Sequence, residues 1–150
     1  MTETDELTTW LEIARVFDEY DQQGYGLFEP NHPRANAAEK ERILAFLDAG
    51  EWVLAGRSRS HDQLDPGRGP VVPMVFVTDG EWVWSKAVNY YLKNHDLLPE
   101  SRFLGRIAAQ DYHCPTLTQD AILRVSEEFN RIRVRRPIDG ARRIGPPPRR

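Results

Sequence analysis

Apolar and polar positions along the chain alternate between helical and strand rhythms, and punctuating glycines and prolines separate them. In residues 5–22, Leu7, Trp10, Leu11, Ala14 and Phe17 follow the i, i+3, i+4, i+7 spacing of one helix face, which predicts an amphipathic helix ending at Gly24 and Gly26. A loop with Pro30 and Pro33 follows. A second helix is expected over about 36–49, with Ile43, Leu44, Phe46 and Leu47 as its buried stripe. Gly50 is expected at its C′ position, in the left-handed conformation. Trp52-Val53-Leu54-Ala55 reads as a short strand, whereas the glycines and prolines of 56–70 predict an irregular segment. Val71–Val77 reads as a strand with Pro73 at an edge position or bulge. Asp79-Gly80 is a type I′ turn signal, with both residues at positive φ, and Trp82-Val83-Trp84 is the return strand.

Helices resume after the hairpin. Ser85 is a candidate N-cap for a third helix over about 86–94, with Ala87, Val88, Tyr91 and Leu92 on its apolar side. Pro99 suits the first turn of a fourth, which buries Phe103, Leu104, Ile107 and Ala108. Thr116 and Gln119 fit a capping box opening a fifth, with Ala121, Ile122, Val125 and Phe129 inward. The expected fold is α+β: a three-stranded antiparallel meander (about 52–55, 71–77 and 81–84) packed with about five helices. One domain spans 1–132. Residues 133–150 form a basic, Pro- and Arg-rich tail, expected to be disordered from about 136 onward.

Composition sharpens this picture. Hydrophobic residues make up 40% of the 150, enough for a real core. No apolar run approaches the ~18 residues of a membrane span, and the acidic N-terminus is unlike a signal peptide. The single cysteine, Cys114, excludes an intramolecular disulfide and a cysteine-based zinc cluster. These features place the expected site of action in the cytoplasm. The net charge of −3 is unevenly spread: residues 131–150 hold eight of the 20 Lys and Arg and one of the 23 Asp and Glu, leaving 12 − 22 = −10 over residues 1–130. An acidic body is a poor partner for nucleic acid, except through the tail.

The chain carries no Walker A, Gly-x-Ser-x-Gly, dinucleotide-binding or His-Glu-x-x-His pattern. His113-Cys114 invites comparison with thiolate chemistry, but adjacent side chains seldom face each other; a half-buried thiol in a loop is the plainer reading. His61-Asp62 with Asp65 is the nearest approach to metal-ligand spacing, and a solvated turn is the plainer reading there, so neither metal nor cofactor is assigned. Gly67-Arg68-Gly69 has the composition of a phosphate cradle without the strand–loop–helix setting. Alternatively, Arg57, Arg59 and Arg68 offer charged forks to a carboxylate or phosphate on a partner, or the loop is plain solvent-exposed chain. Trp82, Trp84, Tyr90 and Tyr91 read as a core-packing face, with interface anchoring as the sharper alternative.

Three motifs carry a family resemblance. Asp65-Pro66-Gly67-Arg68-Gly69-Pro70-Val71-Val72-Pro73 is followed by Thr78-Asp79-Gly80-Glu81-Trp82-Val83-Trp84, and then by Ala87-Val88-Asn89-Tyr90-Tyr91-Leu92 with His95. This pattern resembles a family of small actinobacterial single-domain proteins with D-P-x-R-G-P-V-V-P, T-D-G-x-W-V-W and A-V-x-Y-Y-L-x-x-H segments, over about residues 40–112. Its members are similar to the immunity proteins that accompany secreted toxins, including toxins that destroy NAD. The resemblance implies a non-catalytic protein that binds a toxin domain and blocks its active site. The partner-facing residues are then expected at Arg57, Arg59, His61, Asp62, Asp65, Arg68, Gly69 and Tyr90. Two other readings stand beside it: a small-molecule or nucleotide-binding domain using the Arg57–Pro70 loop, with Arg68, His61 and Tyr90 lining a pocket, and a regulatory adaptor whose tail contacts nucleic acid.

Overall fold

The computed structural model describes residues 8–138. Its centre is a four-stranded sheet in the order β1-β6-β5-β4, built from β1 (Glu12–Ile13), β4 (Glu51–His61), β5 (Pro70–Thr78) and β6 (Trp82–Ser85). β4, β5 and β6 run antiparallel as a meander, and β1 adds to β6 in parallel. A separate small hairpin joins β2 (Glu19–Tyr20) to β3 (Gly26–Leu27). The helices are α1 (Ala37–Asp48), α2 (Lys86–His95), α3 (Ser101–Ala109) and α4 (Gln119–Arg133). The class is α+β as expected, but the sheet is mixed and larger than a three-stranded meander, and it carries four α-helices among the described residues.

Both faces of the sheet are covered. Alternation along β6 sends Trp82 and Trp84 to one face and Val83 to the other. On the first face the tryptophans pack with Ile43, Phe46 and Leu47 of α1, Leu92 of α2 and Phe103 and Ile107 of α3. Phe103 stacks on Trp82 with centroids 5.1 Å apart, and Phe46 stacks on Trp84 at 5.7 Å. On the second face Phe76 and Val83 meet Val125, Phe129 and Ile132 of α4. Each fully buried side chain of this size contributes roughly 1.5–3 kcal/mol. Trp82, Trp84 and Tyr91 are therefore core residues. Ile138 of the tail is also buried on the α4 side, and residues 139–150 lie outside the described residues.

The N-terminal segment departs most from expectation. Within the described residues, the predicted helix over 5–22 is replaced by β1, an irregular link and β2. Its apolar residues divide between the two layers: Leu11 packs on the α4 side, while Ala14, Val16 and Phe17 pack on the α1–α2 side. Glu12 and Ala14 donate backbone N–H groups to Glu81 and Val83 carbonyls. Sheet pairing supplies what the i→i−4 ladder of a helix would have supplied. The β2–β3 hairpin then folds over the Phe17 ring so closely that any side chain at Gly26 would collide with it.

Other local expectations are corrected in instructive ways. α1 is opened by a capping box between Asn36 and Glu39. The glycine after it is not required by a left-handed turn, since Gly50 is not among the residues with positive φ. A Cβ at Gly50 would lie 2.6 Å from the Trp84 ring and 2.8 Å from a Val77 methyl, so sheet packing requires the glycine. The 56–70 segment is only partly irregular, because β4 continues to His61. It does so through register shifts, the largest between the pairs Ala55–Val75 and Arg59–Pro73, which accommodate Pro73 opposite a bulged stretch. Gly56 sits in that bulge, where a Cβ would meet the Met74 carbonyl oxygen at 2.9 Å.

The Asp79-Gly80 turn is not type I′, because only Gly80 has positive φ. Instead the Asp79 carboxylate accepts the N–H groups of Glu81 and Trp82 and holds the turn from its side chain. Ser85 caps α2 as expected, accepting the Ala87 N–H. Glu100 holds the N-cap position of α3, so Pro99 precedes the helix instead of lying in its first turn; the helix buries Phe103 and Ile107 but leaves Ala108 exposed. The cap of α4 is Thr118, two residues beyond the predicted Thr116, and its hydroxyl accepts the Ala121 N–H.

Candidate functional site

The sequence-nominated residues cluster where β4 ends and the chain turns into β5, and that turn is organised around Asp62. Asp62 has no exposed surface. One of its carboxylate oxygens accepts the backbone N–H groups of Leu64 and Asp65 at 2.8 and 3.1 Å, which fixes the loop locally. The other accepts the Tyr90 hydroxyl at 2.7 Å and faces His95 Nε2 at 2.6 Å, which fixes the loop to α2. Arg68 stands 3.8 Å from the same oxygen, with its guanidinium 5.6 Å from the Tyr90 ring centroid. A further strut comes from Gln63, whose N–H donates to the Tyr91 hydroxyl.

The electrostatics follow from this crowding. Burial alone would push the Asp62 carboxyl up. Hydrogen bonds from His95, Tyr90 and the Leu64 backbone outweigh burial and hold it below the ordinary carboxylate range. Tyr90 is displaced the opposite way, to about 12, first by burial and then by donating its proton to the Asp62 carboxylate. Asp62 is thus a carboxylate held ionised in the protein interior by donors from two elements. Both donors come from α2, Tyr90 from its middle and His95 from its last residue.

The structure thereby brings together Asp62, Arg68 and Tyr90, and it adds His95 as a principal partner. Asp65 contributes its backbone to the Asp62 cradle and places its side chain on the exposed side of the short 3₁₀ turn Pro66–Arg68. Gly69 closes that turn at φ 81° and ψ −166°, with open space around it. Arg59 and His61 do not join the cluster. Arg59 leans toward the Val71 carbonyl at 3.5 Å, and the His61 carbonyl accepts from the Gln63 side chain. Arg57 lies on β4, and its side chain is outside the described residues.

Two chemical readings of this loop are revised. Asp62 is buried and fully engaged, so the His61-Asp62-Asp65 segment is not a solvated turn. Among the described residues no three His, Cys, Asp or Glu side chains gather as a metal site would require. The Gly67-Arg68-Gly69 cradle is also compromised: the Arg68 and Gly69 N–H groups donate to Asp65 and Pro66 carbonyls within the turn, so they are not free for an anion.

His95 was visible in the sequence only as the last position of a motif. Its α2 register, four residues beyond Tyr91, was the available signal. Elsewhere, Cys114 is buried and its thiol is pushed up to about 12, first by burial and then by Asp79 and Glu51. That leaves His113-Cys114 without a thiolate near neutral pH.

Comparison with known protein families, curated proteins and solved structures finds no match to this chain. Among the described residues no helix is long and apolar enough to cross a membrane.

Proposed function

We propose that this chain is a non-catalytic protein-binding module, an immunity-type inhibitor that docks on a toxin domain and blocks its active site from the cytoplasm of the producing cell. The end of β4 and its connection to β5, residues 57–70, form its recognition element. One observation carries the reading: buried Asp62 ties the loop backbone to Tyr90 and His95, leaving Asp65 and Arg68 exposed on a fixed base. A loop ordered before its partner arrives loses little entropy on binding. Arg68 offers a planar fork suited to a carboxylate in the partner's cleft, and arginine is a frequent interface anchor. The excess of acidic residues over 1–130 favours a partner of basic surface. The motif resemblance around Asp65–Pro73 and Ala87–His95 supports the same role.

The test is co-expression with the product of a toxin gene found beside this one. Protection of the cells, co-purification of the two proteins and loss of both with Arg68→Glu are the expected results. Failure to protect from that toxin would overturn the proposal.

A further inference from the structure

β4 is the outer strand of the sheet. It pairs with β5 on one side, and among the described residues no backbone segment bonds to its other edge. Such an edge is a row of unpaired N–H and C=O groups, a template for another strand. Here it runs for eleven residues, Glu51–His61, without a lysine or a proline. Its guards are the bulge between Ala55 and Arg59 and two arginines, and both features fit a second copy of the strand.

The register against β5 shows what the edge presents. Glu51 lies opposite Thr78, Trp52 opposite Val77, Ala55 opposite Val75, Arg59 opposite Pro73 and Ser60 opposite Val72. The bulge thus fits the four-residue step from Ala55 to Arg59 into two residues of β5. As a result the strand is symmetric about Ala55: Trp52 and Arg59 each stand two β5 residues from it, and Glu51 and Ser60 each stand three. Val77, Val75 and Pro73 share one face of β5 by alternation, so Trp52, Ala55 and Arg59 share that face of β4. All three are exposed. Trp52 keeps 60% of its surface open even with Lys86 at 5.8 Å from its ring centroid.

An antiparallel strand pair has a twofold axis between its members. With that axis at Ala55, β4 is its own complement. Trp52 of each copy falls opposite Arg59 of the other, a cation–π pair made twice. Ala55 meets Ala55, which leaves room for the backbones to close, and Glu51 faces the Ser60 hydroxyl. The bulged residues fall opposite Leu54, where Gly56 and Ser58 add little bulk. We infer that this chain associates with a second copy of itself, edge to edge through β4, so that two sheets become one across a twofold axis at Ala55. A single strand edge is a small interface, so the pair is transient, with a Kd of roughly 10 μM to 1 mM. The contact uses the strand edge and not the Asp62 turn, and it goes beyond the inhibitor reading.

The experiment is analytical ultracentrifugation of the full chain from about 10 μM to about 1 mM, which spans that range. The expected result is a mass that rises with concentration from one chain toward two. Ala55→Lys and Ala55→Glu each set like charges face to face on the axis, at an exposed position, and each should weaken the pair about tenfold or more. An equimolar mixture of the two variants sets Lys opposite Glu and should associate again. Trp52→Ser removes both cation–π pairs without placing charge on the axis; it should also weaken association, and it serves where a charged variant does not fold. A single-chain mass at every concentration would overturn the inference. Association unchanged in the variants would place the contact on another face and overturn it equally, as would a mixture of folded Lys and Glu variants that stays monomeric. The readout needs no toxin, so its failure and the failure of the inhibitor reading are separate events.

Discussion

His95 reaches across 33 residues of sequence to place Nε2 at 2.6 Å from a carboxylate oxygen of fully buried Asp62. The contact joins the end of β4 to the last turn of α2, and the Tyr90 hydroxyl completes it on the same oxygen. Removing one member of such a buried set leaves the others uncompensated. Asp62→Asn keeps the volume but turns one acceptor into a donor facing donors. The variant should lose about 3 kcal/mol of stability, measured by urea unfolding. Hydrogen exchange should show residues 62–69 losing protection before the sheet does. An unchanged unfolding midpoint would show that the knot is ornamental to the fold.

The same network sets an acid limb. The Asp62 carboxyl is held below its ordinary value in the folded protein, so the folded state binds fewer protons than the unfolded chain around that pH. Its contribution is complete above the unfolded value, near 3.8, and fades as pH falls through the lower folded value. Asp18 acts in the same direction: burial opposes its ionisation, but the Glu29 N–H and His32 outweigh burial. Glu128 adds to it, held at about 2 by Arg131 and the Thr9 hydroxyl. Urea unfolding between pH 6 and pH 3 should show stability falling toward the acid end. In Asp62→Asn the fall should be shallower, because one of the contributing carboxylates is gone.

Much of this architecture is legible in the residues, and the failures have physical causes. Trp82-Val83-Trp84 declares its alternation because both faces of the strand are packed by large side chains, and Ser85 marks the next helix by its hydroxyl. Leu11, Ala14 and Phe17 mislead because helical spacing also arises when an extended chain passes between two cores and sends apolar residues to each. β4 is hidden beyond Ala55 because a bulged edge strand needs no hydrophobic alternation, and Gly56, Ser58 and Ser60 give none. At the site, Asp62, Arg68 and Tyr90 could be nominated individually. Their convergence could not, because it depends on β4 extending to His61 and on α2 packing beside β5.

Arg106 links the hairpin turn to α3. Its Nε donates to the buried Asp79 carboxylate at 2.9 Å, and its guanidinium also meets Glu81 at 2.6 Å. Arg106→Met keeps the packing of the stem but leaves Asp79 with only the two backbone N–H groups it already holds. The expected loss is about 3 kcal/mol, read as a lower urea midpoint. Cys114 reports independently on the same region, because its thiol, pushed up to about 12, should react with a disulfide reagent only on unfolding. In Arg106→Met the native-state labelling rate should rise with the population of opened molecules. Rapid labelling of the wild-type protein under native conditions would contradict the burial of this thiol.

Gly50 and Gly69 are required for opposite reasons, and one pair of substitutions separates them. At Gly50 the backbone is ordinary but the space is taken, with Trp84 and Val77 within 2.9 Å of any Cβ. Gly50→Ala should therefore cost about 1–3 kcal/mol through overpacking. At Gly69 the space is open, but φ of 81° with ψ of −166° is a region that L residues avoid. Gly69→Ala should cost a similar 1–3 kcal/mol through backbone strain alone. A D-alanine placed at position 69 by protein ligation adopts those angles without strain, because it is the mirror image of an extended L residue. That variant should recover wild-type stability in urea unfolding, or exceed it slightly by restricting the unfolded chain. If the D and L variants at position 69 were equally destabilised, the loop geometry assigned around Arg68 would be wrong.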